Sequence, residues 1–77
     1  MRYNDKAIGN AIKELRVSRE MSQEVLSGLA GLAREHLAML ENGSRSPTFK
    51  TLCKIAFALE IKPSDLVKMI EKDFPEG

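Results

Sequence analysis

Residues 21–43 read Met21-Ser22-Gln23-Glu24-Val25-Leu26-Ser27-Gly28-Leu29-Ala30-Gly31-Leu32-Ala33-Arg34-Glu35-His36-Leu37-Ala38-Met39-Leu40-Glu41-Asn42-Gly43. The stretch is two short helices joined by a tight turn at Gly31, with a stop signal at each end. Ser22 suits the cap position of the first helix, where its hydroxyl accepts from an orphan backbone N–H. Gly43 suits the left-handed position just past the second helix. A sharp turn containing glycine lets the second helix project steeply from the first. A helix held in that way can enter a DNA major groove. DNA binding is therefore the first functional expectation.

Outward from this stretch the pattern stays helical. Ile8, Ile12 and Leu15 recur every three to four residues behind a candidate cap at Asp5, which predicts helix 1 over about residues 5–19. Helix 2 is expected over about 23–29 and helix 3 over about 33–41. The loop Asn42-Gly43-Ser44-Arg45-Ser46-Pro47 then leads into helix 4 at about 48–60, where Phe49, Leu52, Ile55, Ala56 and Leu59 form one apolar stripe. Lys62-Pro63-Ser64-Asp65 opens helix 5 at about 63–72, with proline tolerated in the first turn and Asp65 at the positive dipole end. No segment alternates with period two. The expected fold class is all-α, with about five helices in one domain over residues 1–77. Its core is expected over about 5–72, with 73–77 frayed. Gly28, inside helix 2, costs about 1 kcal/mol relative to alanine; it either permits close helix packing or is simply tolerated.

The chain has 77 residues, 43% of them hydrophobic and 30% charged, which is ordinary for a small globular domain. No apolar run reaches the roughly 18 residues of a membrane span, and the first residues lead into no secretory apolar segment. A cytoplasmic protein is expected. The single Cys53 has no internal disulfide partner, and one Cys and one His supply no zinc set. No nucleophile–base constellation and no glycine-rich phosphate loop can be assembled, so no enzyme, cofactor, metal or small-molecule ligand is expected. The net charge of +1 is unevenly spread. Residues 1–54 carry nine Lys/Arg against six Asp/Glu, a balance of +3; residues 55–77 carry three against five, a balance of −2. A basic body with an acidic end fits DNA contact on one side only.

The ordered set Ser22-Gln23-Glu24-x-Leu26, Ala30-Gly31-Leu32, Leu40-Glu41-Asn42-Gly43, Pro47, Leu52 and Ile55-Ala56-x-Ala58-Leu59 resembles the phage repressor/Cro (XRE-type) helix-turn-helix family. The resemblance runs over about residues 8–68. It implies a five-helix, lambda-repressor-like DNA-binding domain in which helix 3 reads the DNA, usually as a dimer on an operator. Arg34, Glu35, Ala38 and Met39 then share the reading face, while Leu37 and Leu40 point to the core. Arg34 suits the O6 and N7 of guanine. Glu35 either accepts from a cytosine amine or pairs with Arg34. Ala38 suits a thymine methyl, and with Met39 it departs from the polar readers common in the family, which shifts part of the specificity to DNA shape.

The resemblance also gives Gln23 a DNA phosphate and a bracing role on the reading helix, and gives Asn42 the phosphate across the groove. Ser22, at the start of helix 2, and Ser44, Arg45 and Ser46, in the loop after helix 3, are further candidates for phosphate contact. His36 lies on the flank, near phosphate or solvent. An ion pair between Arg16 and Glu41 is implied, tying the reading helix to helix 1.

Helices 4 and 5 hold more apolar side chains than so small a core needs. Phe57, Ile61, Met69, Ile70 and Phe74 are the expected homodimer interface, near Cys53, which is expected as a small buried apolar residue. A two-fold dimer places two reading helices about 34 Å apart on a palindromic operator in double-stranded DNA. The alternative is that helix 5 closes the monomer core and Phe74 folds back. Val25 and Leu29, four apart on helix 2, either cover the edge of the core or offer a partner surface. Two functions follow: a sequence-specific transcriptional regulator, most simply a repressor, with restriction-modification controllers and antitoxin-type regulators as variants; or a protein-interaction adaptor that keeps the fold without readout.

Overall fold

A computed structural model describes residues 5–73. Five helices follow one another: α1 Asp5–Ser18, α2 Gln23–Ala30, α3 Arg34–Asn42, α4 Phe49–Ala58 and α5 Pro63–Glu71. There is no strand among the described residues, so the fold class is the all-α one expected. None of these helices is long and apolar enough to cross a membrane.

The ends form where local chemistry directs them. The Ser22 hydroxyl accepts from Val25 N–H at 3.0 Å and caps α2. Gly31 turns left-handed at φ 72°, and Leu32 N–H closes back on the Ser27 carbonyl at 2.8 Å. Gly43 repeats this arrangement after α3 at φ 84°, with Ser44 N–H on the Met39 carbonyl at 3.1 Å. Thr48 stands outside α4 rather than in it, because its hydroxyl accepts from Thr51 N–H at 3.1 Å. Asp5 is itself helical, in the first described turn of α1, where a carboxylate complements the dipole, rather than a residue capping the helix from outside.

Ile12, Leu26, Leu37, Leu40, Ile55, Leu59 and Leu66 form the fully buried centre. α3 packs on α1 and α2, α4 on α2 and α5, and α5 returns onto α1. All five helices thus share one core. The glycines inside helices play opposite parts. A Cβ on Gly28 would meet nothing within 4 Å, so this glycine is tolerated rather than needed for packing. A Cβ on Gly9 would overlap the backbone carbonyls of Leu40 and Glu41. α1 and α3 therefore touch backbone to backbone at Gly9, a seam that sequence periodicity does not reveal.

Three expected placements are corrected. Phe49 is 73% exposed and does not belong to the α4 stripe. It occupies the first helical position, where Thr48, Phe49 and Lys50 all stand outside the core that begins at Leu52. Ile70 is 4% exposed, so it is a core residue rather than part of a mating surface. Because α5 lies against α1, Leu66 and Ile70, four apart, both point inward. Ile61 and Met69 are half-buried against the same core. Phe74 lies outside the described residues. Cys53 is half-buried rather than buried.

Candidate DNA interface

The geometry around α3 is set by a polar seam between α1, α2 and α3. Arg16 Nε donates to Glu41 Oε2 at 2.7 Å, and Arg16 Nη2 donates to Oε1 at 3.1 Å. This is the two-pronged fit of a guanidinium to a carboxylate. Arg16 Nη1 donates to the Met21 carbonyl at 2.8 Å, which ties the α1–α2 connection to the same cluster. Gln23 Nε2 completes it with a bond to Glu41 Oε1 at 3.0 Å. The two charged side chains are only 11% and 3% exposed. Three donors thus converge on the carboxylate of Glu41, in the last turn of α3. The bracing role that the family resemblance implies for Gln23 takes the form of this direct bond to Glu41.

Leu37 and Leu40 face inward and are fully buried. Arg34 and Glu35 are exposed in the first turn of α3, and Ala38 and Met39 are half-buried behind them. Arg34 and Glu35 are both exposed and are not paired with each other. His36 is half-buried on the flank. No group of three or more His, Cys, Asp or Glu able to hold a metal occurs among the described residues.

Polar groups that can meet phosphates gather at both ends of the two-helix unit. At the start of α2 the Ser22 oxygen is occupied as an acceptor, and its hydroxyl proton is left to donate. The Gln23 amide has a second N–H beyond the one on Glu41, beside a helix N-terminus that already favours an anion. After α3, Asn42 is exposed and its Oδ1 accepts from Ser44 N–H at 2.8 Å, which fixes the amide and leaves its nitrogen as a donor. Backbone N–H groups of Ser44 and Arg45 both bond the Met39 carbonyl. These two backbone donors are therefore spent inside the loop. Arg45 is exposed, while the Ser44 hydroxyl lies 3.4 Å from the Met39 carbonyl.

Val25 and Leu29 do not cover the core edge. Both are among the exposed large apolar residues, and Leu29 is 62% exposed. Leu29 instead shares an open groove of about 640 Å³ with Phe57, which is 66% exposed. Ser27, next to them, is buried with its hydroxyl bonded to the Glu24 carbonyl at 3.1 Å.

Residues 12–66 match a family model described as helix-turn-helix. A helix-turn-helix-type transcriptional regulator of Sinorhizobium fredii is 34% identical over 62 residues, covering 80% of each chain. Control protein C.MunI of a Mycoplasma species is 36% identical over 66 residues, covering 84% of this chain and 89% of its own. Among solved structures, the restriction-modification controller protein C.AhdI from Aeromonas hydrophila superposes with a TM-score of 0.78 at 35% identity. It covers 80% of this chain and 94% of its own. With the two-helix unit, its capped ends and the matched span in agreement, the chain belongs to the helix-turn-helix family of transcriptional regulators.

Proposed function

We propose that this protein is a cytoplasmic, sequence-specific regulator that binds a palindromic operator in double-stranded DNA as a homodimer and acts by occupancy rather than catalysis. The observation that carries this reading is the exposed first turn of α3, on a helix anchored at its last turn by the Arg16–Glu41–Gln23 cluster. A reading helix needs such support, because base contacts discriminate only when the side chains arrive pre-positioned. Arg34 takes guanine O6 and N7, and Glu35 accepts from a cytosine amine. Ala38 and Met39 present apolar contact to thymine methyl groups. Ser22 and Gln23 grip phosphate on one side of the groove; Asn42, Ser44 and Arg45 grip it on the other, with His36 on the flank.

The similarity to controller proteins favours a restriction-modification controller or a simple repressor. Repression follows from physical occlusion of a promoter. Exposed Val25 and Leu29 favour one competing reading, an adaptor that has kept the fold and lost readout. Salt dependence separates the two. For a regulator, the logarithm of the binding constant falls linearly with the logarithm of salt concentration, and Arg45→Ala lowers that slope by about one unit on every duplex tested. Fluorescence anisotropy on a labelled duplex reads this directly. An unchanged slope removes Arg45 from the phosphate set. Absence of any salt-dependent binding favours the adaptor.

A further inference from the structure

Met21, Met39 and Met69 fall among the described residues, and they differ in what surrounds them. Met21 and Met69 pack against the hydrophobic core, whereas Met39 is half-buried without joining it. The inward side of α3 is filled by Leu37 and Leu40 instead. Helical spacing puts Met39 on one face with Glu35, four residues back, and Asn42, three residues on. Those two are a proposed base contact and a proposed phosphate contact. The Met39 thioether therefore stands in the middle of the surface assigned to DNA.

A thioether is apolar, yet a peroxide oxidises it. One peroxide oxygen bonds to sulfur, the O–O bond breaks, and the other oxygen leaves as water with both hydrogens. Sulfur loses two electrons and the peroxide gains them. The resulting sulfoxide is polar and chiral. Beside a thymine its oxygen meets a methyl group and the O4 acceptor, with no donor on that base's edge to pair with. A polar group stranded in this way opposes binding. The backbone of Met39 is not drawn in: its carbonyl accepts from Ser44 N–H at 3.1 Å and Arg45 N–H at 3.2 Å, and oxygen added at sulfur leaves those bonds intact. The same oxidation at Met21 or Met69 sets a polar group against the core, and lowers stability rather than DNA affinity.

We propose that Met39 is a modification site: oxidation of its thioether by a peroxide releases the protein from its operator while leaving the fold intact. Reduction by a dithiol-dependent methionine sulfoxide reductase restores binding, with the sulfoxide oxygen leaving as water and the dithiol becoming a disulfide. This rests on the reading of α3 as the DNA-reading helix, and it makes operator occupancy depend on peroxide. The departure from polar readers at this position then has a consequence, since a polar reader cannot be switched in this way.

Trypsin, cutting after Lys and Arg, puts each of these methionines in its own peptide: Met21 in 20–34, Met39 in 35–45 and Met69 in 69–72. The folded chain, carrying Cys53→Ser so that no thiol competes, is treated with dilute hydrogen peroxide and sampled over time. Mass spectrometry reads each sulfoxide, and circular dichroism reads the melting midpoint. Fluorescence anisotropy reads affinity for a duplex that the untreated protein selects from a random library. Met39 is expected to oxidise first, with affinity falling about tenfold as its peptide converts and the melting midpoint unchanged. Methionine sulfoxide reductases with dithiothreitol are expected to restore the affinity. Met39→Leu in the same background sets its own baseline, and peroxide is expected to leave its affinity there. Oxidation of Met21 or Met69 ahead of Met39, or complete Met39 oxidation with unchanged affinity, overturns this site while leaving the DNA reading intact. An untreated protein that selects no duplex removes the DNA reading and this inference together.

Discussion

Glu41→Ala is expected to lower the free energy of unfolding by about 3 kcal/mol. The carboxylate accepts from Arg16 twice and from Gln23 once, and its side chain is only 3% exposed. Removing it leaves the Arg16 guanidinium, 11% exposed, with the Met21 carbonyl in place of a counter-charge. The stranded cation, more than the lost attraction, sets the size of the effect. Arg16→Ala combined with Glu41→Ala is therefore expected to be less destabilised than the two single losses summed, with a coupling of about 0.5–3 kcal/mol. Urea denaturation of the four proteins measures the cycle. Operator affinity falls with Glu41→Ala as well, because the same carboxylate holds α2 and α3 in register. Additive losses would show that the cluster does not act as a unit.

Gly9→Ala is the second large effect, and a control within the same protein sharpens it. Inside an exposed helix, glycine to alanine stabilises by about 1 kcal/mol. Gly28→Ala is expected to follow that rule, since its Cβ enters open space. Gly9→Ala is expected to reverse the sign and destabilise by about 2 kcal/mol, in the range of overpacked cores. Its Cβ would lie 2.5 Å from the Leu40 carbonyl oxygen, and backbone cannot rotate away as a side chain can. Relief requires α1 and α3 to separate, which pulls on Glu41 from the far side of its cluster with Arg16. Thermal unfolding of both variants decides the point: opposite signs are expected, and a stabilised Gly9→Ala would show that the seam opens at little cost.

Much of this was legible in residue types alone. Ser22, Gly31 and Gly43 each have one strong backbone preference, so the ends of α2 and α3 could be placed from sequence. Leu37 and Leu40 followed from helical spacing within a unit whose outer face holds Arg34 and Glu35. What escaped depends on how helices meet. Gly9 looks like any glycine in a helix until α3 is laid against it. Ile70 and Phe57 both read as spare apolar residues, and only the return of α5 onto α1 sends one inward and leaves the other exposed. Phe49 continues the α4 stripe in register but falls in a first turn that no neighbour covers. Left-handed φ values of 56° at Glu20 and 61° at Glu60 carry no sequence signal either. Glycine or asparagine would mark such turns; glutamate does not, and holding it there costs on the order of 1 kcal/mol.

The claim that α3 reads DNA is tested most directly by selecting a random duplex library on the pure protein at near-physiological salt, with Arg34→Ala selected in parallel. A palindromic motif is expected, with half-sites centred about one helical turn apart. Arg34→Ala is expected to lose preference at one guanine per half-site, at about 1–3 kcal/mol of discrimination, while the rest of the motif persists. No enriched motif for the wild type, or a motif that Arg34→Ala reproduces at every position, would contradict the assignment of α3 as the reading helix with Arg34 at its head.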